Sequence, residues 1–303
     1  MPSEPEPTIT IGIVPQERWQ QALELTLSRR PTAERLRLIW AFCQGDAQQR
    51  LVGLLEARHN DHLLGATLAM LLPGRSALIY QPRLVAEAPP AVASLLWTAQ
   101  DAFLKRNAVR IAQEMLPCDA HDDAAAARAA GFEIEVELLY YSCAAANFPP
   151  AAPMGALTAM SCPASERPRL ERLIERTYVD TLDCPELNGV RSSADVIDGY
   201  LENGPWLPDR WLLLQVGGVD VGCLLTTRHS AASCELVYLG LVPEIRGRGL
   251  GKLAIQHALW LARQLGCDEM TVAFDVRNTP ARRIYEQAGF REYERRRVLL
   301  RVI

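Results

Sequence analysis

Two stretches of this chain end in the same way. AAAARAAGFEIEVELLYYSC occupies residues 124–143, and TPARRIYEQAGFREYERRRVLLRV occupies residues 279–302. Laying Gly131-Phe132 on Gly289-Phe290 sets an offset of 158 residues (289 − 131 = 158). Carried back without gaps, the offset lays the helical pattern of residues 91–106 on residues 249–264, and the apolar stretch 77–80 on 235–238. A chain that repeats helices, strands and their spacing is built from one supersecondary plan used twice. AAANFPPAAPMG, residues 144–155, is rich in Ala and Pro and reads as a linker. The expected domains are therefore 1–150 and 151–303, with MPSEPEP as a loose tail.

The 303 residues, 49% apolar, are enough for a well-buried core and for two domains of about 150 residues each. A formal net charge of -4 gives no support for a nucleic-acid partner. The run Arg295-Arg296-Arg297 reads as a solvated strand end. The eight cysteines form no C-x-x-C pair, and the N-terminus has no basic-then-apolar leader pattern, so reduced thiols in a cytoplasm are expected. The longest apolar run, residues 63–72, falls short of the ~20 residues a membrane-spanning helix needs. His59 and His62 sit in an expected hairpin turn without further ligands, so no metal is expected.

The second half carries the clearest local signals. Residues 168–179 place Leu170, Leu173 and Ile174 on one helical face, and residues 194–201 form a second helix. RWLLLQVGGVDVGCLLTTR is two apolar strands around Gly-Gly, a hairpin, and CELVYLGLV is a third strand. A helix with Leu250, Ala254, Ala258, Leu261 and Leu265 on one face stops at Gly266. EMTVAFDV alternates as a strand, Asn278-Thr279-Pro280 opens a last helix, and Gly289 closes it. The order is α-α-β-β-β-α-β-α-β, an α/β layer arrangement.

Between the third strand and its helix lies IRGRGLG. Glycine permits positive φ and lets a bulky group approach the backbone. The first N–H groups of a helix lack internal partners, and the helix dipole adds positive potential. A strand, a Gly-rich turn and a helix mouth with Arg246 and Arg248 therefore make a site for a phosphate or pyrophosphate. Leu253 follows Gly251-Lys252 where a P-loop needs Ser or Thr, and G-x-G-x-G is not the dinucleotide fingerprint.

Arg246-Gly247-Arg248-Gly249-Leu250-Gly251 matches R-x-x-G-x-G, and Asn278-x-x-Ala281-x-x-x-Tyr285-Glu286-x-x-Gly289-Phe290 follows at the expected distance. Together they resemble the GNAT superfamily of acyl-CoA-dependent N-acyltransferases. The resemblance is strong over residues 212–302 and weak over the two helices before them. It implies two tandem GNAT-type domains, each a mixed, mostly antiparallel twisted sheet flanked by helices. It implies acetyl-CoA, or another short acyl-CoA, as donor, with its pyrophosphate on the amides of Arg246, Gly247, Arg248, Gly249, Leu250 and Gly251. It implies that Leu241 and Val242 hold the pantetheine arm, with Gly240 able to supply a bulge, and that Asn278 contacts the cofactor. Tyr285 matches the family tyrosine near the thioester sulfur, a general acid for the leaving thiolate, and is otherwise a core aromatic. Glu235 stands where several members carry a catalytic base, and is otherwise a solvent-facing strand residue. Tyr238 is a candidate for a water relay, and Cys234 reads as core.

The offset places Pro89 and Pro90 under Gly247 and Arg248, and Ala88, Ala91 and Ala93 under Arg246, Gly249 and Gly251. Asn278, Tyr285 and Glu235 fall on Ala120, Ala127 and Ala77. Prolines remove donors where the loop needs them. The first half thus resembles a GNAT fold without the cofactor loop, an arrangement similar to tandem, mycothiol synthase-like acetyltransferases. Such a pseudo-dimer within one chain is expected to shape the acceptor site in cis or to bury a shared interface, and further oligomerisation stays open. TYVDTLDCPELNGVR, residues 177–191, borders the acceptor site in the family. Asp180, Asp183 and Glu186 can attract an amine there, or form a solvated loop. The expected acceptor is a primary amine of a small molecule. Protein N-acetylation and a non-catalytic CoA-binding sensor are the alternatives.

Overall fold

The computed structural model of the protein describes residues 9–43, 52–201 and 204–303, and the MPSEPEP stretch lies outside the described residues. The chain is α/β and divides into two compact units. The first comprises Met1–Leu116, Ala120–Ile134 and Leu299–Ile303; the second comprises Pro117–Asp119 and Glu135–Val298.

In the first unit β1 (Ile9–Ile13), β2 (Val52–His59), β3 (His62–Leu72) and β4 (Ser76–Leu84) are antiparallel neighbours in that order, and β5 (Ile111–Pro117) joins β4 in parallel. The helices are α1 (Trp19–Thr26), α2 (Thr32–Cys43), α3 (Ala91–Arg106) and α4 (His121–Ala129). A parallel partner needs a long crossover, which α3 supplies. Successive strand residues point to opposite faces. Leu54 accordingly clusters with Ala22 and Leu23 of α1, and Leu55 with Val92 and Leu96 of α3, so helices cover both faces. Leu299 is buried beside Phe103, Leu104 and Phe132, which brings the last five residues into this core.

The second unit contains β6 (Ile134–Ala144), β7 (Leu157–Ser161), α5 (Arg167–Tyr178), α6 (Ser193–Tyr200), β8 (Trp211–Val216), β9 (Val219–Arg228), β10 (Ser233–Leu241), α7 (Leu250–Gln264), β11 (Glu269–Asp275), α8 (Thr279–Gln287) and β12 (Arg291–Val302). Its strand order is β12-β6-β11-β10-β9-β8-β7, and of the registers described only β10–β11 is parallel. β6 precedes the linker in sequence, yet it pairs β11 over seven rungs from Ala144↔Glu269 to Leu138↔Asp275. The Arg295-Arg296-Arg297 run on β12 is neutralised by Glu137 at 2.7 Å, Glu294 at 2.5 Å and Glu135 at 2.9 Å.

The repeat is visible in the backbone. α4 and α8 are both nine residues long, and β5 and β11 both seven. Ala120, the residue before α4, has φ −77 and ψ 62; Asn278, before α8, has φ −77 and ψ 63. Gly131 and Gly289 close the two helices at φ 90 and φ 97, a left-handed conformation that suits glycine.

On α7 the buried face is Leu250, Ala254, Ile255, Ala258, Leu259 and Ala262, with Leu261 and Leu265 only half-buried. The stripe is turned from the expected one because the small residues Ala254, Ala258 and Ala262 let the helix lie close on the sheet. Burying the Ile255 and Leu259 side chains stabilises this contact by about 1.5–3 kcal/mol each.

Candidate active site

β10 and β11 separate after three rungs, the last being Glu235↔Thr271. The pairing of β10 with β9 shifts between Leu236 and Tyr238, leaving Val237 as an extra residue. Such a bulge bends a strand and ends pairing. The bulge expected at Gly240 is therefore at Val237, and Gly240 keeps register with Cys223. Gly240 is glycine for another reason: a Cβ there would come within 2.6 Å of the Tyr238 hydroxyl and 2.7 Å of Thr177 Oγ1.

The gap between the two strands is a cavity of about 350 Å³. Val272 and Ala273 are neighbours on β11 and point to opposite faces, and both line it. The cavity therefore passes through the sheet. On the α7–α8 face it meets Ile255, Phe274 and Tyr285; on the α5 face it meets Thr177, Tyr238 and Asp183. Of the sequence-derived site residues, Leu241, Arg246, Gly251, Asn278 and Tyr285 line it; Glu235, Val242, Gly247, Arg248, Gly249 and Leu250 are not among its lining residues.

Gly249 and Gly247 adopt φ 78 and φ 74, a left-handed conformation that costs other residues about 1–2 kcal/mol. Gly249 caps α7 without any side-chain hydrogen bond. Arg246 N–H bonds the Pro243 carbonyl at 3.1 Å and Lys252 N–H bonds that of Gly249 at 3.2 Å. Between them, the amides of Gly247, Arg248, Gly249, Leu250 and Gly251 have no acceptor among the described residues. Arg248 is exposed, and Val242 and Leu250 are buried, as wall rather than surface. The Arg246 guanidinium is committed elsewhere: it donates to the carbonyls of Leu241 at 2.9 Å, Asp180 at 3.0 Å and Thr177 at 2.8 Å. It ties the chain after α5 to the end of β10.

Tyr285 packs against Phe274 and Phe290, with ring centroids 5.0 and 5.5 Å away. Its hydroxyl has no hydrogen-bond partner among the described residues. Burial, and secondarily the charge of Asp183, hold its pKa well above that of a free phenol, so it keeps its proton. Tyr238 is spent differently. Thr177 gives its own proton to the Ile174 carbonyl at 2.7 Å, so Tyr238 must donate to Thr177 Oγ1, also at 2.7 Å. Stacked on Tyr200 at 5.3 Å, it is a wall rather than a free relay. Cys234 is fully buried, with its thiol on the Glu269 carbonyl.

Glu235 sits on the last rung, on the face of Thr271, Ser142 and Tyr140, and its carboxylate meets His229 Nε2 at 2.6 Å. Asn278 caps α8 by accepting from Ala281 N–H at 3.3 Å. Asp275 and Arg277 belong to no motif in the sequence, although Asp275 breaks the apolar pattern of its strand. Asp275 is fully buried; Arg277 bonds both its oxygens and pairs with Glu186. Cys184 N–H also donates to Asp275, and Asp183 accepts from Asp275 N–H at 2.8 Å, which fastens the loop after α5 onto the end of β11.

The first unit fills the same positions. Its parallel pair starts at Ser76↔Ile111, as β10–β11 starts at Ser233↔Glu269. By this register the cavity residues Tyr238, Gly240 and Val272 correspond to Gln81, Arg83 and Glu114, and Ala281 to Asp123. The counterpart of Glu235 is Leu78 rather than Ala77, one residue from the ungapped offset. Arg83 bonds both oxygens of Asp123, Arg29 pairs with Asp123, and Gln81 donates to its carbonyl. Glu114 is buried, with Oε2 lacking a partner among the described residues, and burial pushes its carboxyl up to about 8. A raised acid binds its proton more tightly when folded. Stability is thus lost as pH rises from the ordinary carboxylate range to about 8. Glu114→Gln is expected to remove that loss and to stabilise the protein by roughly 1–3 kcal/mol at pH 8, with a smaller difference near pH 5. Thermal midpoints measured across this range check it; a variant gain independent of pH contradicts it.

Residues 177–290 match the model of the acetyltransferase (GNAT) family. The GNAT match lies within the second unit and covers little more than a third of the chain. Among curated relatives, mycothiol acetyltransferase of Thermobispora bispora is 34% identical over 93 residues, covering 28% of this chain and 32% of that one. Mycothiol acetyltransferase of Corynebacterium glutamicum strain R is 29% identical over 119 residues, covering 35% and 41%. The match thus spans less than half the length of these relatives. A GCN5-related N-acetyltransferase from Sphaerobacter thermophilus has the same fold at TM-score 0.60 and 13% identity, covering 98% of this chain and 96% of that one. A tandem GNAT protein from the clavulanic acid biosynthesis pathway aligns at TM-score 0.53 and 14% identity, covering 97% and 98%. The GNAT fold therefore accounts for both units.

Proposed function

We propose that the second unit transfers an acetyl or other short acyl group from acyl-CoA to a primary amine of a small molecule by direct attack. The observation that carries this reading is the cavity through the sheet, with unbonded amides at the α7 mouth and the Tyr285 phenol on its wall. The donor fits that shape: a Cβ at Gly251 would come within 3.0 Å of Ile284, so glycine keeps the passage open. The amides of residues 247–251 and the exposed Arg248 receive the pyrophosphate. Acyl-CoA supplies the thioester.

Glu235 accepts one proton from the acceptor ammonium, directly or through water. The free amine attacks the thioester carbonyl carbon, the C–S bond breaks, and Tyr285 protonates the leaving thiolate. The second nitrogen proton restores the phenol, and Glu235 returns its proton to solvent. The products are an amide, free CoA thiol and one proton. Thiol release from acetyl-CoA, measured with a panel of primary amines, tests the reading. CoA binding without release in the presence of any amine would indicate a non-catalytic sensor, and release only with peptide amines a protein acetyltransferase.

Glu235→Gln has a specific expected outcome. The substitution should lower kcat roughly a hundredfold or more with little change in acetyl-CoA affinity. An unchanged kcat at saturating substrates would return Glu235 to its pairing with His229.

A further inference from the structure

The acyl-transfer reading leaves open how the acceptor is recognised, and the cavity contains a group that reading does not use. Asp183 lines the cavity on the α5 face, in the loop fastened over the end of β11. One of its oxygens accepts from Asp275 N–H at 2.8 Å, and the Asn278 side chain bonds it as well. It forms no ion pair among the described residues. Its neighbours differ: Arg277 takes both Asp275, at 2.5 Å, and Glu186. Arg246 supplies the single guanidinium or ammonium among the lining residues, and it is spent on three backbone carbonyls.

Asp183 is half-buried, and Arg277 acts on it without pairing with it; a partly desolvated carboxylate without a contacting counter-charge is relieved by a cation brought against it. We propose that Asp183 receives the ammonium of the acceptor and makes the site selective for cationic primary amines over neutral molecules of the same shape. The inference rests on the acyl-transfer reading. Its geometry is consistent with it: the α5 face, which carries Glu235, is opposite the helices that frame the Tyr285 side of the cavity. Burial raises the carboxyl pKa of Asp183 against the Asp275 N–H bond, as expected for an anion short of compensation.

The test compares wild type with Asp183→Asn and Asp183→Glu. Asparagine retains an acceptor for Asp275 N–H, and calorimetric titration with acetyl-CoA establishes that the variant is folded. Butylamine and benzylamine serve as cationic probes, with butanol and benzyl alcohol as uncharged competitors. Dissociation constants of the two amines on the enzyme–CoA complex and KM values for turnover should both rise about ten- to a hundredfold in Asp183→Asn. Inhibition constants of the two alcohols should change little, and Asp183→Glu should retain most of the preference. Equal amine affinity in wild type and Asp183→Asn overturns the inference while leaving acyl transfer standing. A wild type that releases no thiol with any amine overturns both. A parallel loss of amine and alcohol affinity assigns Asp183 to the shape of the loop and overturns selectivity by charge.

Discussion

Gly249→Pro is expected to abolish acyl-CoA binding, and the unmodified chain to bind one equivalent. Proline removes one of the five free amides and demands φ near −65°, where Gly249 stands at φ 78. The pyrophosphate site is a set of N–H groups converging on one point, so a reversed φ at its centre misdirects the remaining donors as well. Among the described residues of the first unit there is no equivalent set. At the mouth of α3, Pro90 has φ −55, and the Val92 and Ala93 amides are already bonded to the Pro89 and Pro90 carbonyls at 3.0 and 3.1 Å. Behind that mouth stand Arg83, Glu114 and Asp123 where the second unit has open space. Calorimetry should thus saturate near one acetyl-CoA per chain, and replacing Pro89 and Pro90 by alanine should leave the affinity unchanged. Saturation at two equivalents would contradict the comparison of the two units.

Tyr285→Phe is expected to lower kcat by about a hundredfold or more with little change in CoA affinity. The hydroxyl is buried, has no partner among the described residues and keeps its proton, so removing it leaves no orphaned group. Phe fills the same space between Phe274 and Phe290. Fold and binding should be retained while the thiolate loses its proton donor. Steady-state kinetics at saturating acetyl-CoA and amine separate the two roles: an unchanged kcat would make Tyr285 a core aromatic.

Elements with local signals were legible in the sequence. α5, α6, the β8–β9 hairpin, β10, α7, β11 and α8 stand within a residue or so of their expected places, because period, caps and turn glycines are all encoded nearby. The repeat was legible for the same reason. β7 was not: five residues behind a Pro-rich linker, three of them exposed, are too few to separate from it. The partner of β6 was hidden as well, since pairing with β11 depends on a strand more than a hundred residues away. Within the site, residue types were legible and side-chain commitments were not. Arg246 has the charge for a phosphate, but three carbonyls that meet only in the fold take its guanidinium. Val237 rather than Gly240 bulges because strand register, not local flexibility, decides where the extra residue falls. Asp183 was one of three acidic loop residues in sequence; the fold shows that Asp180 and Asp183 both line the cavity without an ion pair among the described residues, and that of these two only Asp183 is half-buried while Asp180 is exposed.

Leu299–Ile303 complete the first unit. Leu299 is buried in its core, Arg301 bonds Asp101 and the Ala130 carbonyl, and Ile303 N–H bonds the Arg110 carbonyl at 3.0 Å. A ribosome makes these residues nearly three hundred codons after β1, at roughly 5–20 residues per second. The amino-terminal unit is therefore translated long before it can close its own core. During that interval the cluster of Phe103, Leu104 and Phe132 stands without Leu299, and the packing of the first unit waits on a segment that the whole second unit precedes.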